Sequence, residues 1–252
     1  MAQRLLLNLG QLGVVKNIPL FSGLTAEEKD NLFNGGGVYS YPAKKHLFRQ
    51  GDPVKFLYIV CSGIVQECRE VCDGHKVTAN IYTVGDVFCK TSMFLKDRVH
   101  QTNAIAVSAV DIMELPMEKF KENLLKYESV ATQLFSSLAQ FSFMKQVEVE
   151  QQITMTAAQL LASFLRQICD LHGLDPRGFT LPYKKSLIAS RLGMELETLS
   201  RALPKLKEFG ISVQGSYVSF VQAQKASENV VKFPLIPKNI PLSKNIRAYA
   251  AL

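Results

Sequence analysis

Between residues 39 and 115 short apolar runs alternate with glycine and aspartate punctuation: FLYIV (56–60), GIVQE (63–67), KVTANIYTV (76–84) and AIAVSAVDIMEL (104–115). Regularly spaced runs rich in β-branched and aromatic residues predict strands, and several in succession predict a β-roll or barrel. Asp73-Gly74 falls between two of the runs and marks a hairpin, because both central residues of that tight turn need positive φ. Ahead of this region, SGLTAEEKDNLF (22–33) places Thr25 before Glu27 and Glu28, the signature of a capped helix.

Beyond Pro116 the period changes from two to between three and four. Val130, Leu134, Leu138, Phe141 and Met144 form one apolar stripe along a helix reaching about Val149. Such a stripe either covers the β-rich region or forms a dimer seam. Thr156 then reads as the cap of a further helix, 157–173, which ends at Gly173.

Residues 187–203 carry Ile188, Leu192, Met194, Leu199, Ala202 and Leu203 at the spacing of two short helices packed across Gly193, the residue best suited to a tight turn. Ala189 is small where the helices cross, and Glu195 or Thr198 starts the second one. Leu196, Glu197, Ser200 and Arg201 point away from the packed face and can reach base edges. ISVQGSYVSFV (211–221) alternates around Gln214-Gly215 as a β-hairpin does, so a helix pair followed by a hairpin predicts a winged helix. Pro204 falls inside the expected second helix, where it removes a backbone donor at a cost of order 3 kcal/mol unless the helix kinks or tightens.

Composition sharpens this picture. The 252 residues suffice for two apolar cores, and 29 Lys and Arg against 22 Asp and Glu, a formal net charge of +7, favour a polyanionic partner. Lys184, Lys185, Arg191, Lys205 and Lys207 surround the helix pair. The start, MAQRLLLNLGQLGVV, has no signal-peptide pattern, and no apolar run approaches the roughly 20 residues that span a bilayer, so a cytoplasmic protein without membrane contact is expected. Free thiols rather than disulfides are expected of Cys61, Cys68, Cys72, Cys89 and Cys169. No H-E-x-x-H, G-x-S-x-G or P-loop occurs, and Gly35-Gly36-Gly37 lacks the strand and helix that phosphate cradling needs, so no enzyme is expected.

Across residues 17–221 the chain resembles the CRP/FNR family of bacterial transcription regulators. The likeness rests on NIPLFSGL (17–24), FRQGD (48–52), LYIVCSG (57–63), Asp73-Gly74, Gly85-Asp86-Val87-Phe88 and the stretch from Leu181-Pro182-Tyr183 to Leu206. It implies an α+β chain: a β-roll sensor of double-stranded jelly-roll type over 1–116, a long dimerisation helix over 117–152, a winged helix-turn-helix over 153–221 and an extension over 222–252. Glu197, Ser200 and Arg201 match the base-contacting set of the FNR-like branch, and Leu196 stands where the catabolite-activator branch has an arginine. Arg201 suits O6 and N7 of guanine, Glu197 a cytosine amino group and Ser200 either base or phosphate, with Thr198, Lys184, Lys185 and Lys205 as further DNA contacts. The partners so implied are double-stranded DNA, a second copy of the chain and, for an activator, RNA polymerase.

The same resemblance places an effector pocket at Lys90, Thr91, Ser92, His100, Gln101 and Thr102. Lys90 and His100 occupy the positions where cyclic-nucleotide binders carry a ribose-binding Glu and a phosphate-binding Arg, which disfavours cyclic AMP. The effector stays open among a small molecule, a gas and a redox signal. Cys89 matches the haem-ligating cysteine of the family's carbon-monoxide sensors, although Thr91 stands where their second ligand would be. Cys68, Cys72 and His75 flank the Asp73-Gly74 turn and, with Cys89, are candidates for haem, a metal or a redox thiol switch. The alternative to gene regulation is a ligand-binding module that regulates a protein partner without touching DNA.

Overall fold

The computed structural model describes residues 3–5, 9–70, 76–171 and 173–220. Two compact units divide the chain, Met1–Ala139 and Gln140–Leu252. The first contains β1 (Gln3–Leu5), α1 (Leu9–Lys16), a 3-10 turn (Pro19–Phe21), α2 (Ala26–Phe33), β2 (Gly37–Tyr41), β3 (His46–Phe48), β4 (Phe56–Ser62), β5 (Val65–Glu70), β6 (Lys76–Tyr82), β7 (Val87–Phe88), β8 (Asn103–Ala106), β9 (Val110–Pro116) and α3 (Met117–Lys126). Its strands pair antiparallel in a sheet ordered β1-β2-β9-β4-β7 and another ordered β3-β8-β5-β6, the β-roll that the turn spacing predicts.

The unbroken apolar run of β4 (56–61) follows from burial of both faces, and β9 is apolar apart from Asp111 and Glu114. Leu57, Ile59 and Cys61 of β4, with Met113 and Leu115 of β9, pack against Phe21, Leu32, Phe120, Val130 and Leu134 from the helices. The alternate residues Tyr58, Val60, Val110 and Ile112 point into the roll, against Phe48, Phe88 and Ala104. At Gly63 (φ +78) the chain turns from β4 to β5, and a Cβ there would lie 2.3 Å from the Ala109 carbonyl oxygen, so no other residue fits. Thr25 caps α2 through the reciprocal capping box with Glu28 that its sequence predicts.

The helix expected over 117–152 is two helices. Tyr127 adopts an extended backbone (φ −117, ψ 107), ends α3, and packs its ring against the helix-side core. A second helix, α4, runs over Glu128–Thr154. The single apolar stripe also divides: Val130 and Leu134 are buried in the core of the first unit and Leu138 packs against it, whereas Phe141 is 44% exposed. Of the two alternatives for the stripe, covering the β-rich region holds for its first three positions. The boundary between the units falls at Ala139 and Gln140, inside α4.

The second unit contains the remainder of α4, α5 (Ala157–Leu171), β10 (Phe179–Thr180), α6 (Lys185–Arg191), α7 (Leu196–Ala202), a 3-10 stretch (Leu203–Phe209), β11 (Ile211–Gln214) and β12 (Tyr217–Phe220). Thr156 closes a capping box with Gln159 at the start of α5. Ala158, Leu161, Leu165 and Ile168 then recur every three or four residues on its buried face, with Ala162 beside them. The wing forms where predicted, with β11 pairing β12 and β12 pairing β10. Pro204 is not inside α7: the helix ends at Ala202 and tightens to 3-10 geometry, with the proline in the first turn, where a missing N–H costs nothing. Among the described residues no helix is long and apolar enough to cross a membrane. Cys72, His75 and residues 222–252 lie outside the described residues.

Candidate nucleic-acid interface

Helix α6 packs Leu187, Ile188 and Ala189 into the second unit, and Gly193 (φ +65) makes the turn that follows. Helix α7 opens after Glu195 and buries Leu199 and Ala202. Leu196 (50% exposed), Glu197, Ser200 and Arg201 are left on its outer face. Among the described residues no ion pair joins Glu197 to Arg201, although they stand one turn apart on that face. Ser200 differs from them, since its hydroxyl donates to the Leu196 carbonyl at 2.9 Å. Its oxygen lone pairs remain for an outside donor. Thr198 is half-buried beside this face, Lys184 stands at the N-cap position of α6 with its side chain exposed, and Lys185 is exposed in the first turn. Lys205 is exposed too, but on the 3-10 stretch rather than on α7.

In the roll, by contrast, chemistry-bearing groups hold each other. The Glu67 carboxylate accepts from Asn80 Nδ2 (2.7 Å), Tyr82 Oη (2.6 Å) and Thr102 Oγ1 (2.6 Å). Rings of Tyr82, Phe88 and Tyr58 stack in succession, with centroids 4.7 and 5.2 Å apart. His100, 2% exposed, lies 3.6 Å from the Phe48 ring centroid and nearly parallel to it. Burial drives its pKa down to about 4 against the pull of Asp52 and Glu67, so the imidazole is neutral at pH 7. Cys89, held at φ +66, brings its Sγ within 3.7 Å of His100 Nδ1. Burial pushes that thiol, and those of Cys61 (to about 12), Cys68 and Cys169, above the usual range.

The chain matches two protein families in tandem, the cyclic nucleotide-binding domain over residues 38–127 and the Crp-like helix-turn-helix domain over residues 159–223. A cyclic AMP receptor protein of Thermus thermophilus is 29% identical over 201 residues, covering 78% of this chain and 89% of that protein. A global nitrogen regulator of Synechococcus elongatus is 26% identical over 175 residues, covering 68% and 79%. The chain belongs to the CRP/FNR family. The solved structure of FixK2 from Bradyrhizobium japonicum shares the fold, with a TM-score of 0.66, 21% identity and coverage of 76% of this chain and 95% of that one. As a CRP/FNR protein it is a DNA-binding transcription regulator with a sensor domain of the cyclic nucleotide-binding type.

Within this CRP/FNR chain the outward set Glu197, Ser200 and Arg201 shares one helix face, as its spacing predicts. The six residues expected around an effector differ in exposure and in partners. His100 is sealed against Phe48, Thr102 is bonded to Glu67, Lys90 and Ser92 are half-buried, and Thr91 and Gln101 are exposed. Cys68 is fully buried on β5, and among the described residues no group of three or more His, Cys, Asp and Glu side chains is placed to hold a metal ion. Sequence reasoning named Thr102 but missed Glu67, Asn80 and Tyr82. Asn80, Tyr82 and Thr102 stand 13, 15 and 35 positions away from Glu67, and only the strand pairing brings them together.

Proposed function

We propose that this protein reads a specific DNA sequence through α7, with Arg201 donating to guanine O6 and N7, Glu197 accepting from a cytosine amino group and Ser200 contacting base or phosphate. The observation that carries the reading is the pair of charged heads of Glu197 and Arg201, exposed and without each other on one face of a short helix whose opposite face is buried. Lys184, Lys185 and Lys205 add phosphate contacts that position the helix without reading sequence. A second copy of the chain completes the unit of recognition. Phe135, Phe141, Phe143, Val149 and Ile153 are large apolar residues exposed along the 27-residue α4, and a homodimer seam on that helix covers them. The DNA target is then pseudo-palindromic, with half-sites about one helical turn apart.

The sensed signal is not cyclic AMP in this reading. Lys90 and His100 replace the ribose and phosphate partners, and the roll interior is filled by its own aromatic rings. A signal in the roll shifts the population of DNA-competent dimers, which contact RNA polymerase where the outcome is activation. Selection of bound duplexes from a random pool tests the account. Wild-type protein is expected to enrich an inverted repeat containing G·C pairs, and Arg201→Ala to lose that enrichment. Equal enrichment by both proteins removes Arg201 from base reading.

A further inference from the structure

Arg201 and Glu197 read bases only if α7 is aimed correctly, and the second unit contains an ion pair suited to aiming it. Glu148, on the carboxy-terminal part of α4, accepts from Arg191 Nη2 at 2.5 Å and from Lys145 Nζ at 2.8 Å. The side chains of Arg191 and Glu148 are only 17% and 24% exposed. Burial pushes the Glu148 carboxyl up, but Arg191 and Lys145 outweigh it and hold it below the usual carboxylate range. Arg191 is the last residue of α6, so its cation also complements the negative end of that helix. Five residues later α7 begins. One turn beyond Glu148 on α4, Gln151 Nε2 donates to Ser163 Oγ of α5 at 3.3 Å, a second tie in the same unit. Of the five basic residues around the helix pair, Arg191 is thus the one whose charge is spent inside the protein, while Lys184, Lys185, Lys205 and Lys207 are exposed.

We propose that Glu148 and Arg191 form a positioning clamp that fixes the helix-turn-helix against the end of α4 and so sets the angle at which α7 meets a major groove. The clamp rests on the DNA-reading role of α7. Arg191 acts through α7 and touches no phosphate. A half-buried pair is a directional tie, because removing Glu148 leaves the Arg191 charge without its counterpart, and removing Arg191 leaves Glu148 with Lys145 of its own helix alone.

The test uses full-length protein and two duplexes, the sequence enriched from a random pool and a scrambled one. Glu148→Gln and Arg191→Gln are each expected to lower the ratio of specific to scrambled affinity about tenfold, the size of coupling seen between contacting charges. Thermal unfolding of every variant sets a temperature at which all are folded, and the ratios are compared there. Unchanged ratios in folded single variants overturn the clamp and leave the pair a stability device. Loss of affinity for both duplexes by Arg191→Gln with a reduced salt slope, while Glu148→Gln binds normally, overturns it in favour of a phosphate contact. If wild-type protein itself prefers neither duplex, the reading of α7 fails first, and that result is distinct from both.

Discussion

The inside of the β-roll and the outside of α7 both display carboxylates, hydroxyls and cations, and they treat them oppositely. Glu67 is saturated by three internal donors, Glu114 receives the hydroxyl of Tyr41, and His100 is stacked and uncharged. On α7, Glu197 and Arg201 share a face without pairing, among exposed neighbours. Buried polar groups must find partners within the chain, because an unmet one costs on the order of 1–3 kcal/mol, whereas an exposed one is met by water until something better arrives. Internal satisfaction therefore marks architecture and external availability marks the reading surface. Arg191 belongs with the first kind although its sequence neighbours belong with the second.

Four measurements can break this contrast or sharpen it. Leu57 is fully buried against the helices, so Leu57→Ala should cost about 2–5 kcal/mol, read from the urea midpoint, while the folded protein keeps its preference between duplexes. A lost preference would mean that the two regions are not separable. Next in size is the pH response of His100. Its folded pKa of about 4 lies below the ordinary 6.5, so the unfolded chain binds the proton first and stability falls as the pH drops from about 6.5 to 4, by about 3 kcal/mol at most. His100→Gln should flatten that part of a stability–pH curve; an unaltered curve would show that the ring is not held neutral.

Arg201→Ala follows, with an expected loss of about 1–3 kcal/mol for the selected duplex and almost none for a scrambled one, measured by titration at fixed salt. Similar losses for both would demote Arg201 to a phosphate contact. Smallest is Lys184→Ala, expected to weaken all duplexes alike and to reduce the salt slope by about 1. A sequence-dependent effect there would extend base reading to the start of α6.

What could be read in the chain beforehand was whatever is written locally. The Thr25 and Thr156 caps, the Gly193 turn and the wing around Gly215 each depend on residues a few positions apart, and all formed. The outward set on α7 was legible for the same reason, since helical periodicity alone fixes which residues share a face. Tyr127 was not: nothing local forbids a helix there, and the break accompanies packing of its ring against a core assembled from distant segments. The division of the α4 stripe has the same origin, because a periodic pattern reports an apolar face and not what covers it. Glu67 with its donors, and Glu148 with Arg191 43 positions away, are products of tertiary folding.

The early end of α7 limits how much sequence one copy can recognise. Seven residues at 1.5 Å each extend about 10 Å, and base pairs stack every 3.4 Å or so, so one such helix spans only about three consecutive steps of a duplex. A word that short recurs by chance throughout any genome. Selectivity between promoters must then be assembled from outside the helix, by requiring two such words at a fixed separation and by the ease with which the intervening DNA bends.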